Sequence, residues 1–146
     1  MPVGMIGVEN NYAPQGVEAA VTTASTTMVF TGTGVILTPV TSGNVEISLS
    51  SECSNNTAAD GISVNIVYAA GTALTAAGTA TAGTAILSSP LTWVSAAASA
   101  EGFLGLNNFV LTGLTPKTSY TFQPTIEAVT GGTASFTQYS MTVKEL

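Results

Sequence analysis

Arginine and histidine are absent from this chain, and Lys117 and Lys144 supply its only side-chain cations. Without imidazole there is no Ser-His-Asp triad and no histidine metal ligand. Nucleic-acid binding depends on Lys and Arg neutralising phosphates, so two lysines exclude it. Anionic membrane surfaces are excluded on the same ground. Cys53 stands alone, so no internal disulfide forms; with no cationic neighbour in sequence it reads as a small buried hydrophobe. No run approaches the ~18 apolar residues of a spanning helix. The first ten residues lack the basic region and small-residue cleavage pattern of a signal peptide, and the expectation is synthesis in a cytoplasm without export.

What fills the sequence is Thr, Ala, Gly, Ser and Val. Charged residues are 7% of the total and hydrophobic ones 45%, with eight acids against two bases and a net charge of −6. The mean hydropathy is +0.44. Disordered chains are charged and poor in β-branched residues, the opposite of this composition. At 146 residues the chain has room for one domain with a real core. A surface so poor in charge carries wide neutral patches prone to association. Burial in a homo-oligomer or a larger assembly is therefore expected.

Residues 1–16 show no sustained period and read as an extended N-terminal arm, with Met5, Ile6, Val8 and Tyr12 as apolar anchors. The arm has two readings: laid across a neighbouring subunit, or draped on its own domain. From residue 17 to 146 the pattern is of one domain of short strands. VEAAVTT (17–23), TMVFT (27–31) and GVILTPV (34–40) are β-branched runs, and NVEISLSS (44–51) alternates with Val45, Ile47 and Leu49 on one face. A polar turn region, 52–61, precedes ISVNIVYAA (62–70). Three glycines and five threonines in 71–85 oppose helix and predict an extended loop with at most one short strand. LTWVSA (91–96) and FLGLNNFVLTGL (103–114) follow, the latter broken by a turn or bulge at Asn107-Asn108. In 119–129, Tyr120, Phe122, Ile126 and Ala128 share one side and Thr121, Gln123, Thr125 and Glu127 the other. Gly131-Gly132 predicts a hairpin into 133–146, with Tyr139, Met141 and Val143 on one face. The fold class is all-β: an antiparallel β-sandwich, jelly-roll or immunoglobulin/fibronectin-III-like, with an extended N-terminal arm.

Candidate chemistry is sparse. A hydroxyl nucleophile would have to recruit Lys117 or Lys144, which sit at turn or terminal positions. Glycosidases need two carboxylates at a set separation, but the acids here are spread one per element, and Trp93 is the single tryptophan. Glu52, Asn55, Asn56 and Asp60 form an oxygen-rich stretch that lacks the regular spacing of a calcium loop. Asn55-Asn56-Thr57 matches a glycosylation sequon, incidentally so in a chain that is not exported. The expectation is a protein that is not an enzyme, with no catalytic residue, no metal and no cofactor.

Two segments carry a resemblance. FVLTGLTPKTSYTFQPTIEAV resembles the late strands of fibronectin type III and similar sandwiches, with Leu114, Pro116, Thr118 and Tyr120 in the corner pattern. There the tyrosine hydroxyl bonds back to the preceding turn. More widely, residues 44–146 resemble a group of small tailed-bacteriophage virion proteins. The shared features are an Asp-Gly turn at Asp60-Gly61, a strand ending in Tyr68 before a Gly/Thr/Ala loop, and a C-terminal hairpin around AVTGGTAS. Where that group often has Arg before the tyrosine, this chain has Val67. The resemblance implies a virion structural protein made in the host cytoplasm. The first reading is a trimeric capsid decoration (cement) protein that binds the major capsid protein on the outer head surface. The alternative is a tail-fibre or receptor-binding module whose loops 52–61 and 71–85 recognise the host.

Overall fold

The computed structural model describes residues 10–12 and 20–146. Its strands run in the order β1 (Asn10–Tyr12), β2 (Val21–Thr23), β3 (Val29–Phe30), β4 (Val35–Leu37), β5 (Val45–Asn55), β6 (Gly61–Ala70), β7 (Thr84–Ala85), β8 (Leu91–Val94), β9 (Glu101–Leu111), β10 (Tyr120–Ala128) and β11 (Ala134–Glu145). Every pairing is antiparallel, and the strands form two sheets packed as a sandwich. In the first sheet β5 lies between β11 and β9, and β1 and β2 sit in tandem on the far edge of β11. In the second, β10 and β6 pair centrally, flanked by β3 and β4 on one side and β7 and β8 on the other.

The alternation of β5 continues past residue 51, because Cys53 and Asn55 keep the inward phase that Val45 sets. The expected turn region 52–61 therefore shrinks to the residues after Asn55. Between the sheets, Ile47, Ile66, Phe122, Phe136 and Met141 are fully buried. Each such side chain contributes roughly 1.5–3 kcal/mol relative to exposure, and this interlayer is the core of the fold.

β10 departs from the two-faced strand that its sequence suggests. Its polar side is buried as well: Thr121, Gln123 and Thr125 are 7%, 2% and 0% exposed. The cover is the 71–90 segment, which carries β7 as its one short strand. Side chains pin it: Gln123 Oε1 accepts from Thr75 N–H at 2.8 Å and Nε2 donates to Thr75 O at 3.0 Å. Pro124, lacking an N–H, sits where the chain between β3 and β4 bends away, and its carbonyl accepts from Thr31 N–H at 3.1 Å.

The expected hairpin at Gly131-Gly132 is not a hairpin. β10 and β11 belong to different sheets, and the connection crosses from one layer to the other. The neighbouring turn, between β5 and β6, makes the same crossing, and the two turns bond to each other. Asn56 N–H donates to Thr133 O at 3.1 Å, and Thr133 N–H donates to Asn56 Oδ1 at 2.8 Å. The crossing follows from burial on both sides, since Ala128 and Ala134 are each fully buried in the interlayer. Glycine is required at 132, where φ is 69° and a Cβ would lie 2.4 Å from Asn55 Oδ1.

Candidate functional site

The described acids and cations do not converge. No group of three or more His, Cys, Asp or Glu side chains gathers among the described residues. Lys144 pairs with Glu46 at 3.0 Å across β11 and β5. Lys117 occupies a left-handed turn position (φ 65°), with its N–H on Pro39 O. Cys53 is buried, and desolvation, aided by the charge of Glu52, pushes its thiol up to about 11.

The oxygen-rich stretch serves the fold. Asp60 Oδ1 accepts from Gly61 N–H at 2.7 Å and from Thr130 N–H at 2.9 Å. The bond from Thr130 leads in holding the Asp60 carboxyl below its usual range. Asn55 spends both amide protons on backbone, donating to Gly61 O at 2.9 Å and Gly131 O at 3.2 Å. Fully buried, it offers no amide to a glycan.

At the opposite end of the sandwich, Tyr120 Oη accepts from Thr115 N–H at 3.0 Å. Leu114 is buried beside it, and its N–H donates to Gly43 O at 2.9 Å. Glu145 closes the same end, accepting from the N–H groups of Val40, Thr41 and Ser42 at 2.7–2.8 Å. Partial burial raises the Glu145 carboxyl, but these bonds outweigh it and bring the group down to about 2.

Of the arm residues, Met5, Ile6 and Val8 lie outside the described residues. Tyr12 lies in β1, opposite Thr142 of this chain's own β11. The 71–85 segment, read from the sequence as an extended loop with at most one short strand, lies against the second sheet and carries β7 at its end. Asn65 holds its far end through both Leu87 N–H and Leu87 O.

What remains open is the outer face and free edge of the first sheet. Among the described residues β9 is an edge strand along its whole length, Glu101–Leu111. Two bulges flank the middle of β5. On β9 the register slips between Leu106 and Phe109, and on β11 between Thr137 and Ser140. Asn108 and Gln138, one in each bulge, take positive φ (52° and 43°). Bulges re-aim side chains beside binding sites. Here they rim a depression of about 260 Å³ lined by Ser50, Glu52, Phe103, Gly105, Asn107 and Gln138. Phe103 is 78% exposed above it. From the sequence Phe103 looks like the start of an ordinary apolar strand; nothing there signals that its phase points outward.

No family model matches the chain, and no curated protein matches it in sequence. Solved structures match it in fold. A chain of the IBDV viral particle superposes with a TM-score of 0.59 at 9% identity, covering 94% of this chain and 31% of that one. The infectious bursal disease virus VP2 subviral particle gives 0.55 at 9% identity, covering 93% and 32%. This chain thus spans about a third of the length of those proteins. At such identity the likeness is one of fold.

Proposed function

We propose that this chain is a structural component of a virion, and specifically a decoration (cement) protein that sits on the outer surface of the head and stabilises the shell. One observation carries the reading: nearly the whole chain superposes on part of proteins whose solved forms are viral and subviral particles. The chemistry of the chain supports it. With two cations, one of them paired, the surface is suited to association by area and strand pairing rather than by charge steering. Among the described residues no strand pairs the outer edge of the eleven-residue β9, a natural place for another chain to add. The reading is non-enzymatic, with the major capsid protein as the partner and a trimer as the assembled form.

The test is fractionation of virions from the virus that encodes this chain. Disrupted particles are separated into heads and tails, and the chain is followed by mass spectrometry. Co-purification with heads is the expected result. Co-purification with tails replaces decoration with the appendage reading, and absence from both fractions ends the virion reading.

A further inference from the structure

We infer that the depression between β5, β9 and β11 binds a neutral saccharide, with Phe103 as its stacking platform and Asn107, Gln138 and Glu52 as the groups that read its hydroxyls. The inference goes beyond a role in the shell and holds wherever on a particle the chain sits.

Three observations carry it. First, the site is built by irregularity: two separate ladders each bulge beside the same stretch of β5, bringing Asn107 and Gln138 to one rim. Second, its polar groups are uncommitted. Among the described residues the side chains of Glu52, Asn107 and Gln138 make no hydrogen bond, whereas the buried amides of Asn55, Asn65 and Gln123 are all engaged. Third, an aromatic ring left 78% exposed lines the depression beside them, together with Gly105, which adds no side chain to it. A pyranose presents C–H faces that pack on an aromatic ring and hydroxyls that both donate and accept. Two amides and a carboxylate beside a phenyl ring match that pattern.

The charge selects the class of sugar. Glu52 pairs with Phe103 in the β5–β9 register, and Glu101 is opposite Ser54 on the same outer face. Lys144 is held by Glu46, and Lys117 lies in the turn before β10. Phosphate, sulfate, sialic acid and uronic acids therefore meet negative charge with no cation to offset it. The volume, about 260 Å³, falls just below the ~300–1,000 Å³ of typical small-molecule sites and suits a single ring. One shallow ring contact gives weak affinity, on the order of 1 mM, which several copies on one particle would raise by avidity.

The test is a ¹H–¹⁵N NMR titration of the full chain with methyl glycosides of glucose, galactose and mannose, and with N-acetylglucosamine and N-acetylgalactosamine. Sialic acid and inorganic phosphate serve as anionic probes. The expected result is saturable shifts at Ser50, Phe103, Gly105 and Gln138 with at least one neutral sugar and none with the anions. Phe103→Ala is expected to weaken that binding at least tenfold, and Asn107→Ala severalfold, with the remaining spectrum unchanged. No shift at these residues up to roughly 50 mM of every neutral sugar, far above the expected dissociation constant, overturns the inference. So does unchanged binding by Phe103→Ala. A third outcome also overturns it: Phe103→Ala dissociates an oligomer while no sugar binds, which makes this face a contact between copies. Because the isolated chain is measured, failure here leaves the head-fractionation result untouched, and the reverse also holds.

Discussion

Asn65 meets Leu87 as a neighbouring strand would: its Nδ2 donates to Leu87 O at 2.9 Å and its Oδ1 accepts from Leu87 N–H at 3.2 Å. Gln123 does the same to Thr75. Two side-chain amides thus fasten a Gly/Thr/Ala segment that has almost no apolar anchor of its own. Removing either one leaves part-buried backbone groups of Thr75 or Leu87 without that partner, at about 1–3 kcal/mol. Asn65→Ala and Gln123→Ala are expected to lower stability by that amount. Hydrogen exchange should quicken in residues 75–87 before it changes in β5 or β11. Uniform loss of protection across both sheets would contradict this division.

A second prediction concerns the corner. Tyr120→Phe removes the acceptor of Thr115 N–H while keeping the ring, which packs near Tyr68 at a centroid distance of 6.3 Å. Loss of one hydrogen bond to a part-buried donor should cost about 1–2 kcal/mol in denaturant unfolding. An unchanged midpoint would mean that water replaces the hydroxyl without penalty.

Gly102 and Trp93 give a third. A Cβ on Gly102 would lie 2.2 Å from the indole, so the ring must move for any other residue to fit. Gly102→Ala should destabilise by roughly 1–3 kcal/mol, the usual cost of overpacking, and shift the tryptophan emission. Emission and stability both equal to the parent would show that the indole is not held there.

Acid sensitivity follows from Glu145. Its folded-state pKa, about 2, lies below the ordinary value of 4.5. The bonds from Val40, Thr41 and Ser42 therefore contribute fully above about pH 4.5. Their contribution falls as pH drops below that value and is gone once the pH passes below about 2. The lowered Asp60 carboxyl adds in the same direction. Unfolding midpoints measured from pH 6 to pH 2 should decline, and less steeply for Glu145→Gln. Parallel curves for the two proteins would contradict the assignment.

Much of this architecture was legible in residue periodicity, and the misses share one cause. β5 announces itself because one face is buried and the other wet. β10 announces itself as a strand but not as one buried on both faces, because Thr121, Gln123 and Thr125 look solvent-facing until a low-complexity segment covers them. That segment has no period by which to announce itself. The Gly131-Gly132 turn carries hairpin chemistry, but local turn preference does not say which layer the next strand joins. The step of three between buried Phe136 and Tyr139 marks the β11 bulge, and Asn107-Asn108 marks the β9 bulge. Either is visible along the chain, but their convergence on one depression depends on β5 lying between them.

The most direct measurement of the central claim is re-addition of the purified chain to heads stripped of it. Adhesion predicts saturable rebinding at a fixed number of copies per shell, and a higher temperature for head disruption once the sites are filled. Heads that stay bare at micromolar protein, or that bind it without any gain in heat resistance, would contradict the account.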